Sequence, residues 1–218
     1  MFKQILYTQW KWSRLTLLLL AVVGFAIPVL SVRDFGDPSA GIWEVRDALD
    51  SVAAWGYAYP ILAAAVALLL SVTTWGPDHQ GRHVYALSLP VPRWHYALLR
   101  FSAGVVLIGL VVAAVWIGAL VASASASAPP GLHAYPQALA LRFALATVVA
   151  YSIFFAIAAG TNRTAGVILV LIIAIFVIEV VSLLAGIEAT PTSFVLSHLV
   201  VWPGPLAIFT GRWMLIDV

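Results

Sequence analysis

The 218-residue chain is 63% apolar and 9% charged, with a mean hydropathy of +1.03, where an ordinary soluble domain is roughly 45–50% apolar and about 25% charged. This predicts an integral membrane protein, and at about 20 apolar residues per span the length allows six or so spans and leaves no room for a soluble catalytic domain. A formal net charge of +2 is too weak for a nucleic-acid binder, and the absence of cysteine excludes disulfides, thiolate metal sites and thiol catalysis.

Residues 1–14 come first. On a helical wheel Phe2, Ile5, Leu6, Trp10 and Trp12 share one arc, interrupted by Gln9 and Ser13, while Lys3, Gln4, Tyr7, Lys11 and Arg14 lie opposite. The pattern predicts an amphipathic helix along the membrane surface, with Trp and Lys at head-group depth. Charge-free runs then predict spans at about 15–32, 53–75, 98–122, 137–160, 165–185 and 194–211. The run from Phe101 to Leu141 is too long for one helix, and the small, Pro/Gly-bearing stretch Ser123 to Gly131 divides it. Two prolines in Trp202-Pro203-Gly204-Pro205 would kink or break a regular helix, so 194–211 is either a full span or a re-entrant pair of half-helices.

Orientation is read from Lys and Arg. Lys3, Lys11 and Arg14 precede the first span, whereas the next loop sets Arg33 and Arg46 against Asp34, Asp37, Glu44, Asp47 and Asp50. Arg82, Arg93 and Arg100 follow the second span, and Arg163 sits between the fourth and fifth. The expectation is a multi-pass protein of the inner (plasma) membrane with a cytoplasmic amino terminus and the acidic loop outside.

The segment after the second span, Asp78 to Arg93, is too long and too apolar for a simple turn. Val84 with Leu87, and Tyr85 with Leu89, have helical spacing, which predicts a short helix over about 82–89 that stops before Pro90. Pro92 suits the first turn of the third helix. Exposed Tyr85, Leu87 and Leu89 either meet a protein partner or lie back on the membrane surface or the bundle.

Gly81 to Arg93, and in particular Leu87-Ser88-Leu89-Pro90-Val91-Pro92-Arg93 followed by Trp94, Tyr96 and Arg100, resembles the element after the second span of ABC-2 type transporter permeases. The motif covers about 20 residues; the architecture, an all-α bundle of six transmembrane helices with an amino-terminal elbow, both ends cytoplasmic and a long second-to-third loop, resembles that family over the whole chain. The resemblance implies a permease subunit, of the exporter kind, that dimerises with itself or a paralogue. It also implies docking of ATP-binding subunits, which carry the ATP and Mg. The contacts would be the elbow and a coupling helix carrying Gly81, Tyr85, Leu87 and Leu89, with Pro90, Pro92 and Arg93 as its rigid link to the third span. The family usually has Glu before the Gly and Thr or Ser after it; here Asp78, His79 and Gln80 precede Gly81, and Arg82 follows. The chain has no G-x-x-x-x-G-K-[ST] and its only lysines are Lys3 and Lys11, so it is expected to bind no cofactor or metal and to be no enzyme itself.

Arg142 and Glu179 are the charges well inside the expected spans. Both fall in the outer leaflet, where an unpaired charge is costly. They form an ion pair that lines a substrate path or clamps the fourth and fifth helices, or Arg142 snorkels outwards. Ala114, Gly118 and Ala122 make a stripe that permits close helix approach or is ordinary alanine-rich packing. Two other function classes compete with transport. One is a non-transporting membrane scaffold that docks a cytoplasmic protein; the other is an intramembrane hydrolase built on Ser193, Ser197 and His198, for which no G-x-S-x-G elbow is present.

Overall fold

A computed structural model describes residues 1–33, 50, 52–80, 92–125 and 133–160, with scattered positions from 167 to 217. Four helices account for most of it: α1 (Phe2–Ser31), α2 (Ala58–Gln80), α3 (Arg93–Ser125) and α4 (Pro136–Ala159). Stretches at Phe2–Ser31, Val52–Gly76, Arg93–Ser125 and Pro136–Ala159 are each long and apolar enough to cross a membrane. The first four expected spans therefore have helical counterparts. In the fifth, the described positions Val167, Val170, Leu171, Ile173, Ala174, Ile175, Val177, Ile178, Val181 and Ser182 are helical.

The chain divides into two compact parts, one of Met1–Phe155 with Arg212–Val218, the other of Ala156–Gly211. In the first, α1 packs most extensively on α3. The two run parallel in a steady register: Gln9 meets Arg100, Gly24 faces Val115, and Phe25 faces Gly118. α2 runs antiparallel to both, with Leu62 beside Gly24 and Thr74 beside Arg100, and α4 runs antiparallel to α3, with Tyr151 against Gly104.

The burial pattern suits a lipid solvent. Small or polar residues of α1 and α2 point inward, among them Gln9, Ser13, Gly24, Ser31, Ser71 and Thr74, while Leu15, Leu19, Val22, Ile61 and Val72 point out. Lipid is as apolar as leucine, so such helices associate through close packing and polar contacts rather than through expulsion of apolar surface from water. The hydroxyls of Ser13, Ser71 and Thr147 are satisfied locally, each donating to the carbonyl four residues back at 2.7 Å. Gly118 lets α1 and α3 touch by their backbones: a Cβ there would overlap the Phe25 carbonyl oxygen and lie 3.0 Å from its Cα.

Three sequence expectations change. The amino-terminal elbow is not a separate helix lying along the surface, because α1 continues unbroken through Arg14 and Leu15. No Gly or Pro interrupts that junction, and Gln9, Ser13, Leu17, Leu20 and Gly24 form one continuous inward stripe. At roughly 1.5 Å per residue its 30 residues span about 45 Å, so its first turns extend beyond a hydrocarbon core of about 30 Å. The loop expected over 78–93 is also shorter, since α2 runs to Gln80 and α3 begins at Arg93. Pro77 has no N–H to offer the Thr73 carbonyl, and at the next residue a side chain of α3 supplies a donor to the Thr74 carbonyl.

The third change concerns the carboxyl-terminal end. Two short strands, β1 (His133–Ala134) and β2 (Ile216–Asp217), pair antiparallel, His133 opposite Asp217 and Ala134 opposite Ile216. Leu215 accepts from the Tyr135 N–H at 2.9 Å. This pairing lies at the start of α4 and beside the start of α2, the opposite end of the first part from Met1. Six full crossings with both ends on one side would have returned residues 216–217 to the Met1 end. In the second part, the Leu206 N–H donates to the Leu199 carbonyl at 2.7 Å. Residues seven apart in a straight helix are about 10.5 Å apart along the axis, so Leu199 and Leu206 do not belong to one straight helix.

Candidate functional site at the Met1 end

The start of α1, the end of α2 and the start of α3 converge at the Met1 end of the first part. Pro92 stands immediately before α3, and its carbonyl accepts from the N–H groups of His95 (3.0 Å) and Tyr96 (3.1 Å). Proline at this place loses nothing, since its missing N–H would have had no intrahelical partner. Arg93, Trp94 and His95 are exposed and Tyr96 turns inward.

Arg100, two turns into α3, organises the site. Its Nη1 donates to the Thr74 carbonyl at 2.6 Å, and its guanidinium carbon lies 4.8 Å from the Tyr96 ring centre and 5.2 Å from that of Trp75. These are cation–π distances. Its own carbonyl accepts from Gln9 Nε2 at 3.2 Å, which ties α1 to α3 at the same level. Behind it, Trp75, Phe101, Tyr151 and Phe155 make an aromatic cluster with centroid distances of 5.2–5.5 Å. Gly104 is required there, because a Cβ would lie 2.5 Å from the Tyr151 Cζ. The Tyr151 hydroxyl lies beside Thr74, at a geometry short of a hydrogen bond.

In front of Arg100 is a cleft of about 120 Å3, lined by Gln4, Thr8 and Gln9 of α1, Thr73 and Thr74 of α2, and Tyr96 and Arg100 of α3, with Met1, Ile5 and Trp12 at its apolar rim. Gln9 is 7% exposed and its Oε1 has no hydrogen-bond partner. On the helical wheel Gln9 and Ser13 interrupt an apolar arc, whereas in the fold they are the most buried side chains of that segment. Their four-residue spacing, with Leu17 next in register, was the signal for an inward stripe.

Of the expected docking residues, Pro92 and Arg93 are placed as described, whereas Gly81, Tyr85, Leu87, Leu89 and Pro90 lie outside the described residues. Glu179 also lies outside them, so the expected pair with Arg142 is not described. Arg142 sits at the opposite end of the first part, its guanidinium carbon 4.7 Å from the ring centre of Trp213. Trp213 is buried and stacks on Tyr59 with centroids 5.8 Å apart and planes 13° from parallel. Trp213 carried no sequence signal, since its partners are 71 and 154 residues away along the chain. No cluster of three or more His, Asp or Glu able to hold a metal occurs among the described residues.

Comparison of the chain with protein-family models, with curated proteins and with solved structures finds no match.

Proposed function

We propose that this chain is the membrane-spanning subunit of an ATP-driven exporter of the ABC-2 type. It would lie in the inner (plasma) membrane with the Met1 end in the cytoplasm, dimerise with a second copy or a paralogue, and be powered by ATP and Mg held on a separate ATP-binding subunit. The observation that carries the reading is the junction at Pro92. The segment that resembles the family's coupling element feeds without a further loop into α3, one uninterrupted helix of 33 residues, about 50 Å long at roughly 1.5 Å per residue. A displacement applied at 81–91 would be delivered to the middle of the bundle through a stiff lever rather than lost in a hinge. The contact of Gln9 with Arg100 adds α1 to the same lever.

The fifth span over 165–185 and a re-entrant element over 194–211 complete the crossings in this reading. Five full crossings and one re-entrant turn bring residues 216–217 to the far side, where β2 pairs with β1. That carboxyl-terminal placement departs from the family pattern, in which both ends are cytoplasmic.

Co-purification tests the reading. A P-loop ATPase is expected to come down with the chain and to be lost on Leu87→Asp or Leu89→Asp. ATPase association that survives both changes, or its absence from the isolated complex, rejects it.

A further inference from the structure

We infer that the cleft at the Met1 end is a binding site for the head group of a glycerophospholipid, one that carries N–H or O–H donors beside its phosphate, as ethanolamine and glycerol head groups do and choline does not. The inference does not rest on transport; it requires only that the four apolar helices lie in a membrane.

Three observations lead there. The first is depth. Gln9 and Arg100 each lie roughly 10 Å along their helices from the Met1 end, within the first turns of α1 that extend beyond a hydrocarbon core of about 30 Å, so the cleft opens at head-group level. Exposed Lys3, Lys11, Arg14 and Arg93 surround that end, and such a basic collar concentrates anionic lipid.

The second is chemistry. Arg100 brings a fixed positive charge to the cleft wall, and a guanidinium has five N–H donors in a planar fork suited to phosphate. Thr8 and Gln4 supply further polar groups on the open side. The apolar rim of Ile5 and Trp12 suits the start of an acyl chain.

The third is the buried amide oxygen of Gln9. Its Nε2 is committed to the Arg100 carbonyl, and Oε1 is left without a donor, an arrangement that is costly when nothing repays it. Phosphate cannot satisfy it, because phosphate oxygens accept. An ammonium or hydroxyl two or three bonds from the phosphate can, in the cleft that Gln9 lines. A volume of about 120 Å3 far exceeds the ~10–15 Å3 that a single water requires.

The test uses the full chain, delipidated in detergent and then placed in bilayers of phosphatidylcholine alone or with phosphatidylglycerol or phosphatidylethanolamine. Native mass spectrometry should show the latter two retained and phosphatidylcholine stripped, and both should raise Tm by several degrees over phosphatidylcholine alone. Gln9→Leu, which keeps the volume and removes the unsatisfied oxygen, should fold normally in phosphatidylcholine yet lose that preference by about tenfold, the scale of one charge-assisted hydrogen bond. Arg100→Lys should weaken retention of phosphatidylglycerol and phosphatidylethanolamine to a similar extent. Equal retention of phosphatidylcholine, or a preference that survives Gln9→Leu, overturns the inference. An equal rise in Tm with inorganic phosphate alone also overturns it, by making the cleft a free-anion site.

Discussion

Gly118→Ala should be among the most damaging single-methyl changes available to this protein. The added Cβ meets backbone, not a side chain that can swing away: it overlaps the Phe25 carbonyl oxygen and sits 3.0 Å from the Cα and 3.1 Å from the carbonyl carbon, where ordinary contact begins at 3.4 Å. α1 and α3 must therefore separate by roughly 0.5–1 Å, which forfeits about a quarter to a half of the dispersion well at each atom pair across the seam. That seam includes Gly24 against Val115 and, further along, the buried side chains Leu17, Leu20, Ile108 and Val111. Overpacking of this kind costs about 1–3 kcal/mol. Gly109 lies in the same helix with nothing within 4 Å of its Cβ position, so Gly109→Ala should be neutral or stabilising by up to about 1 kcal/mol, the helix-propensity gain. Thermal unfolding of the two variants in one detergent compares them directly. Equal stability of Gly118→Ala and Gly109→Ala would refute the close backbone approach and the α1–α3 register built on it.

Further outcomes follow from the far end and from the polar contacts. Because the chain has no cysteine, Lys3→Cys and Asp217→Cys give unique labels; a membrane-impermeant maleimide should reach them from opposite sides, and labelling of both from one side would reject the placement of β2. Trp213→Ala should cost about 3–5 kcal/mol and raise hydrogen exchange at Tyr135, whose N–H donates to the Leu215 carbonyl and closes the β1–β2 pairing; unchanged protection there would show that Trp213 does not hold the strand down. A double-mutant cycle of Arg142→Ala with Trp213→Ala should give a coupling of about 0.5–2 kcal/mol, and strict additivity removes the cation–π contact. Gly104→Ala should disturb the aromatic cluster around Tyr151, read as a loss of near-ultraviolet dichroism at unchanged helix content.

Much of the helical frame was legible because charge is so scarce. Arg14, Arg33, Asp50, Asp78, Arg93 and Arg100 bracket apolar runs that have helical counterparts. What sequence could not supply was where each helix stops relative to the bilayer. The second span was expected to end near residue 75, yet α2 continues to Gln80; there the Thr74 carbonyl takes a donor from Arg100, 26 residues on, a contact invisible to any local pattern. Arg14 looks like the boundary between a surface helix and a span, but a charged side chain that faces outward does not interrupt the inward stripe passing behind it. The candidate site was half legible. Pro92, Tyr96 and Arg100 belong to a motif, whereas Gln9 and Thr74 acquire meaning only when α1 and α2 are set against α3.

The parallel pairing of α1 with α3 also fixes an order of events during synthesis. α1 cannot find its partner face until Gly118 has been made, nearly 90 residues after α1 ends, a wait of roughly 5–20 s at ~5–20 residues per second. In that interval Ser13 is content, its hydroxyl already given to the Gln9 carbonyl. The amide of Gln9 is not, because its Nε2 acceptor is on α3. A nascent α1 thus enters the bilayer with one polar group unmet near its Met1 end. That places a premium on holding the first helix close to the point of insertion until the third emerges, and substitutions that lengthen the wait, such as insertions between Arg33 and Asp50, should lower yield without altering the finished bundle.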